Sequence, residues 1–514
     1  MKRSAERCPR AAPSVPAVEL FRTKSVENIS ADAGGEGDVG GVGRLRQHLS
    51  ARHLIGFGIG IVIGTGIFTL TGIQAKNNAG PAIVVSFAIA GVVSLLAALC
   101  YAELAAAVPT AGSSYTYAYT TIGEIFAWII AWDLILEFAL GAAVVSRGWS
   151  GYLQDALSLP TSVFGEESTV NLGAIAIALV LGVVAMIGIR ESKWVTNALV
   201  VIKVSVCVFV VVVGIFFVKA ANLAPFVPDS KPVPKSEAVS GLQQPLWQWV
   251  SGADPTAFGF TGVFVAAAVV FFAYSGFEAV ANLGEETKDP AKVMPRGLLG
   301  TLAICTVLYI LVCFVITGMV KYTGLSEGAP ISDAFDQVGM GWASILIAVA
   351  AIAGLSSVIL VDIVAMGRIG FALCRDGLLP AWIGEVHEKW ETPYRVTIGT
   401  TAVVMLLAGF VPLDALAEMV SIGTLFAFLV VSIAVIVLRR TKPKMERPFR
   451  VPQVPILPIL SAVFCVGLMT NLALETWLRF LVWLVLGLAI YFFYGRSHSR
   501  LAQQEHEKTP VSAG

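Results

Sequence analysis

The sequence predicts an all-α integral membrane fold. It has about twelve transmembrane helices, ten of them in a 5+5 inverted repeat whose helices 1 and 6 are broken. Three observations predict it. The chain is 56% hydrophobic and 14% charged, with a mean hydropathy of +0.78, whereas a soluble domain carries about 25% charged residues. Apolar runs alternate with short polar links along most of the chain. Two of those runs, five apart, are interrupted by glycine near mid-span, the mark of a binding site where two broken helices meet.

Taken in order, residues 1–46 are rich in Pro, Gly, Ser and charge and read as a disordered cytoplasmic tail. The first apolar run begins only near Leu54, too late for an ordinary cleaved signal peptide. The helices then fall at roughly 54–73, 82–107, 125–150, 171–188, 195–218, 259–283, 298–319, 342–374, 394–411, 416–437, 456–475 and 477–494. Residues 47–437 form a ten-helix core, 438–495 carry helices 11 and 12, and 496–514 form a second cytoplasmic tail. Basic residues set the orientation. Alternate links hold Arg190, Lys193, Lys288, Lys292, Arg296, Arg375, Lys389 and Arg395, then a cluster from Arg439 to Arg450. Of the 35 basic residues, about 26 fall on that side, so both termini are expected in the cytoplasm of a plasma-membrane protein. The long external link, about 219–258, carries Pro225, Pro228, Pro232 and Pro234, which discourage a helix, and Trp247 and Trp249, which suit the membrane interface.

Composition also excludes. Acidic and basic residues balance at 35 each, so there is no electrostatic case for a nucleic-acid partner. The seven cysteines show no metal-ligand spacing and no disulfide framework, and no cofactor is expected.

The interruption in the first span is Gly64-Thr65-Gly66, inside Gly58–Phe68. Glycine in a helix interior costs about 1 kcal/mol against alanine. Two glycines flanking a β-branched threonine therefore invite the backbone to unwind. An unwound turn at membrane depth is tolerated only where it is buried in protein or lines a cavity. Its freed N–H groups, with the positive end of the following half-helix, suit a carboxylate. Close helix packing is the alternative use of such glycines. A dinucleotide fingerprint fails on spacing, since Gly58, Gly60 and Gly64 give G-x-G-x-x-x-G. The sixth span repeats the oddity with Ser275-Gly276 at mid-span and Glu278 just after.

These residues resemble a known family. Gly58–Phe68 is similar to the G-x-G-x-x-x-G-x-G-I-F segment of the amino acid–polyamine–organocation (APC) superfamily. Phe271–Gly297 resembles its sixth helix and following loop. Trp132–Phe138 and Arg147–Gly151 resemble the third helix of its cationic amino acid transporter branch, and Arg368–Pro380 the end of the eighth. The resemblance runs from about Arg52 to the twelfth helix and leaves out the N-terminal tail. It implies a leucine-transporter-like fold, alternating access and an amino acid substrate. It further implies that N–H groups of Thr65, Gly66 and Ile67 hold the substrate carboxylate and that carbonyls of Phe272, Ala273 and Ser275 hold the ammonium. The helix breaks are then at Gly64 and Gly276. One break presents donors and the other acceptors, so together they read a zwitterion without a charged side chain.

Charges inside the bilayer cost at least about 2.5–3.5 kcal/mol each and need a reason. Lys203 lies about eight residues into the fifth span, roughly 12 Å along the helix. Snorkelling to the headgroups is one reading. The resemblance implies another, a lysine amine standing where sodium sits in sodium-coupled relatives and carrying the coupled proton, with Ser356 and Ser357 as partners. Asp133 and Glu137 share a face of the third span. Asp133 is expected to bond neighbouring helices and hold the bundle together. Glu137 matches a substrate-facing glutamate of the cationic branch. Glu278 is expected to bond the loosened backbone or to meet the substrate. Glu103 and Arg368 read as gate or packing charges, Arg147 as a snorkelling residue and His53 as interfacial. Asp362, where relatives usually carry a methionine, serine or asparagine-like residue, suggests a receptor for a cationic side chain, because a neutral substrate would leave the acid unpaired. The competing reading pairs or protonates it.

The sequence therefore points to a proton-coupled amino acid permease preferring basic amino acids, with a neutral permease or an exchanger as the alternative. A membrane enzyme would need a metal cluster, a His-containing catalytic set or a G-x-S-x-G elbow, and none is found. A channel would not need two broken helices in matching halves.

Overall fold

A computed structural model describes residue 22 and residues 49–501, apart from 108–112, 167, 189–192, 234–240 and 391. The two expected tails lie outside the described residues except for Arg22 and 496–501.

Among the described residues, the architecture is helical apart from a two-residue antiparallel pair, Lys231–Pro232 with Thr256–Ala257. Among the described residues, eight segments are long and apolar enough to cross a membrane: Leu70–Ala107, Glu124–Leu157, Asn197–Phe217, Gly259–Ala281, Pro290–Met319, Gly341–Arg375, Leu413–Thr441 and Leu474–His498. Four shorter apolar helices, Ala51–Val62, Leu172–Ile187, Tyr394–Phe410 and Ile456–Met469, accompany them. This is a multi-pass membrane protein.

Helix ends follow local chemistry. Pro290 at the first turn, where its missing N–H is no loss, starts its helix eight residues before the expected 298. The Asn171 side chain accepts from the Ala174 N–H, and Gly188 at φ +70° closes the same helix. Helices at Ser113–Thr121 and Pro330–Gln337, outside the apolar runs, were not expected. Residues 224–233 are not helical, as the prolines require, and Trp247 and Trp249 sit on a short helix, Leu246–Ser251.

Burial sorts the bundle. The most apolar stretches of Glu124–Leu157 and Gly259–Ala281 are 83% buried, so these segments are central; that of Leu474–His498 is 22% buried and peripheral. Gly341–Arg375 packs along Glu124–Leu157, and Pro290–Met319 packs on Ile83–Ala107 and Ala51–Val62. Val180, Val201, Val212 and Phe216 are exposed on the outer helices. Such side chains face hydrocarbon rather than water in a membrane.

Candidate functional site

The first apolar run is broken where expected. Ala51–Val62 ends at Ile63, Gly64 is extended, and Thr65–Phe68 begins a new helical turn. The Tyr309 hydroxyl donates to the Val62 carbonyl (2.7 Å) and the Tyr152 hydroxyl to the Phe68 carbonyl (2.6 Å). Buried donors from neighbouring helices thus satisfy carbonyls beside the break, as a non-aqueous interior demands. Neither tyrosine carries a sequence signal for this role. In the other broken helix, Gly259–Val270 tightens into a 3₁₀ turn at Phe271–Tyr274, stops at Ser275, and turns at Gly276 with φ +95°.

The two breaks touch. A methyl group on Gly66 would overlap the Cα and Cβ of Ala273, and one on Gly276 would lie 2.5 Å from Ile61 Cγ2. Gly64, by contrast, has extended backbone angles and room for a side chain, its nearest neighbour being Val358 Cγ2 at 3.7 Å. Gly66 and Gly276 are therefore the two break positions that geometry reserves for glycine.

Around this contact lies one small cavity, ≈ 30 Å³ in the space open to the centre of a water molecule. Gly64, Thr65, Gly66, Glu137, Phe272, Ala273, Ser275, Gly276 and Asp362 all line it. Ile67 and Lys203 do not. Sequence reasoning had not singled out Ile61, Val62, Phe138, Gly141, Val145 and Val358, which also line it. They are ordinary apolar or small residues until the fold turns them inward.

The hydrogen bonds refine the expected roles. The Ile67 N–H is taken by the Gly64 carbonyl (3.3 Å), whereas the N–H groups of Thr65 and Gly66 meet no backbone acceptor among the described residues. The hydroxyls of Thr65 and Thr69 are buried without a partner among those residues. On the other break, the Phe272 carbonyl accepts from the Ser275 N–H (3.0 Å) and the Ser275 hydroxyl (2.9 Å), which fills both lone pairs. The Ala273 and Ser275 carbonyls receive no such bond. Of the six expected backbone groups, four, two donors and two acceptors, have no backbone partner among the described residues.

Three carboxyl groups share the wall. Glu137 accepts from the Thr424 hydroxyl (2.7 Å) and lies within hydrogen-bonding reach of Glu278. Glu278 accepts from the Gly276 N–H through both oxygens (2.9 and 3.1 Å), the backbone role expected of it. Asp362 is 7% exposed, stands against Gly141, and is close enough to Glu278 and Lys203 to interact with them electrostatically.

Lys203 is 1% exposed and does not snorkel. Its Nζ donates to the Gly60 carbonyl (2.6 Å) and its stem lies against Gly354, so it bridges Ala51–Val62 and Gly341–Arg375 behind the cavity. The hydroxyls of the expected serine partners, Ser356 and Ser357, donate to the Ile352 and Gly354 carbonyls (2.8 Å each). A serine inside a helix finds its own i−4 or i−3 carbonyl first.

Other charges also differ from expectation. Asp133 bonds nothing among the described residues; both oxygens are buried and unpartnered, with Gly423 alongside. Arg147 is 3% exposed and is bonded within the protein rather than extended from it. It donates to the Ala408 carbonyl (2.9 Å) and to Glu166 (2.8 Å), which also accepts from the Leu413 N–H (2.7 Å). Glu103 is a packing charge, held by Arg439 through two bonds (3.0 and 2.6 Å) and by the Val451 N–H (2.7 Å). Arg368 is exposed, and His53 pairs with Ser50 at the exposed start of its helix.

A helical membrane bundle with two broken helices meeting at a small internal cavity lined by apolar residues and three carboxyls defines a carrier-like protein. Residues 49–493 match the amino acid permease family. The chain is 41% identical over 492 residues to the methylthioribose transporter of Bacillus subtilis, covering 94% of this chain and 99% of that one. It is 41% identical over 499 residues to the branched-chain amino acid permease BcaP of the same organism, with the same coverage. It is 36% identical over 409 residues to the vacuolar cationic amino acid transporter 4 of Arabidopsis thaliana, covering 78% of this chain and 64% of that one. The chain belongs to the amino acid permease family within the APC superfamily, and is a transporter rather than an enzyme.

Proposed function

We propose that this protein is a secondary active amino acid transporter of twelve spans in the leucine-transporter-like 5+5 repeat, working by alternating access in the plasma membrane with both termini cytoplasmic. The observation that carries the reading is the touching pair of helix breaks at Gly66 and Ala273, with open donors on one side of the cavity and open acceptors on the other. Thr65 and Gly66 bind the substrate carboxylate; Ala273 and Ser275 bind its ammonium group. Proton coupling runs through Lys203 on the fifth helix, whose ammonium bonds the first-helix backbone while its stem lies against the eighth helix. Deprotonation loosens that tie and frees the first helix to move.

Asp362 and Glu137 line the same cavity, which supports a preference for basic amino acids. A cationic side chain offsets the burial of these carboxyls, and a neutral one leaves them uncompensated. A second reading, a neutral permease, draws support from the apolar wall of Val62, Phe138, Val145 and Val358 and from the likeness to a branched-chain permease. Competition in proteoliposomes separates the two. Unlabelled arginine, lysine, leucine and alanine are tested against labelled arginine and labelled alanine, in the wild type and Asp362→Asn. Basic selectivity requires that arginine and lysine compete best and that Asp362→Asn weakens arginine transport about tenfold or more, while alanine transport changes little. Absence of competition by basic amino acids in the wild type leaves the neutral permease. Flux that neither saturates nor exchanges would indicate a channel.

A further inference from the structure

A second cavity lies at the opposite end of one helix from anything assigned above. Its volume is ≈ 450 Å³, much larger than that of the central cavity. The first three turns of Pro290–Met319 build one wall with Lys292, Arg296, Leu299 and Gly300; Pro448 and Phe449, in the link after Leu413–Thr441, build the other. Residues 292, 296 and 300 are spaced i, i+4, i+8, so two cations and an apolar patch share one helix face.

That face continues into the bilayer. Ile304, Val307 and Leu311 are 41%, 57% and 39% exposed and follow on the same stripe. From Arg296 to Leu311 the helix rises about 22 Å, which spans the headgroup level and one leaflet of a hydrocarbon core about 30 Å thick. A pair of cations with a side-chain-lined recess at one end, and a bare apolar track at the other, complements an amphiphile with an anionic head.

Among the described residues, these cations are only weakly compensated. Lys292 meets Asp289 at 3.2 Å, but the two are 72% and 53% exposed, and pairs so exposed contribute little. Arg296 is exposed and has no ion pair or hydrogen bond among the described residues. In the facing link, Lys444 and Arg450 outnumber Glu446, and Arg447 is already engaged with Glu103 and backbone carbonyls.

We infer that this cavity binds the headgroup of an anionic phospholipid, with its acyl chain along Ile304, Val307 and Leu311 and its phosphate at Lys292 and Arg296. Basic pockets on the side of the membrane rich in Lys and Arg attract anionic lipid. The site stands apart from the substrate cavity and does not depend on the substrate reading.

The test titrates phosphatidylglycerol, and in parallel phosphatidylcholine, into delipidated full-length protein in mild detergent, with bound lipid counted by native mass spectrometry. The wild type is expected to bind phosphatidylglycerol saturably and in preference to phosphatidylcholine. Lys292→Gln with Arg296→Gln is expected to weaken that binding roughly 30-fold. Arg296→Lys, which keeps the charge, retains it, and Lys444→Gln, outside the cavity wall, serves as the control. Equal binding of both lipids, or unchanged binding in the double variant, overturns the inference. So does displacement of phosphatidylglycerol by millimolar inorganic phosphate, which would make this a free-anion site. A second copy of the chain seated on this face would leave no lipid adduct sensitive to these residues, with the same consequence.

Discussion

Gly66→Ala is the most informative single change. The added methyl group would overlap Ala273 Cα and Cβ and lie 3.0 Å from the Ala273 nitrogen, whereas ordinary contacts fall at 3.4–4 Å. All three atoms are backbone or rigidly attached to it, so no side-chain rotation relieves the overlap. The two breaks must part by about 1 Å, at a cost of about 1–3 kcal/mol in stability. The same movement stretches one side of the zwitterion cradle, taking hydrogen bonds of about 2.9 Å beyond useful length. Bonds to charged groups contribute about 1.5–3 kcal/mol each. Losing two of them weakens substrate binding by at least about a hundredfold. The assay is uptake of a labelled amino acid into proteoliposomes, with ligand-dependent thermal stabilisation as the binding readout. Two companions calibrate it. Gly56→Ala, in the same helix, meets nothing within 4 Å and is expected to transport normally with slightly raised stability. Gly64→Ala meets only Val358 at 3.7 Å and is expected to lose far less than Gly66→Ala. Normal uptake by Gly66→Ala would refute the placement of the substrate between the breaks. Equal loss in Gly64→Ala would show that glycine flexibility, not close approach, is what matters.

Two further outcomes follow from buried charges. Lys203→Met keeps a stem against Gly354 but removes the bond to Gly60; it is expected to retain substrate binding and exchange and to lose accumulation driven by an imposed pH gradient, measured as labelled uptake with and without the gradient. Sodium dependence of the wild type would remove that role. Arg147→Met leaves Glu166 buried without its cation and is expected to cost about 3–5 kcal/mol near neutral pH, read from thermal unfolding in detergent. Burial pushes the Glu166 carboxyl up and Arg147 holds it back. Without Arg147 the folded pKa lies further above the unfolded value. The variant's deficit is therefore smallest in acid, where Glu166 is protonated in both states, and grows as pH rises past the ordinary glutamate range near 4.3. A deficit independent of pH would show that Arg147 acts through packing alone.

The sequence by itself determined the class, the helical runs and the approximate place of both breaks. Those properties are local: hydropathy over about twenty residues decides what can cross a bilayer, and Gly64-Thr65-Gly66 or Ser275-Gly276 disfavours helix whatever lies nearby. It also singled out Glu137 and Asp362, both of which line the central cavity, because a carboxylate at membrane depth needs a reason to be there. Tertiary structure decided the rest. That Gly66 rather than Gly64 needs to be glycine depends on Ala273, more than two hundred residues away. That Phe272 and Ile67 are already hydrogen-bonded, while Thr65, Gly66, Ala273 and Ser275 stay open, depends on how each break kinks. Arg147 was expected to snorkel and Asp133 to be bonded; the packing of Glu166 and Gly423 beside them reversed both. The lipid-facing cavity joins a helix start to a link about 150 residues later. Contacts between distant segments leave no period or spacing in the chain, and it is those contacts that turn a pair of broken helices into a site.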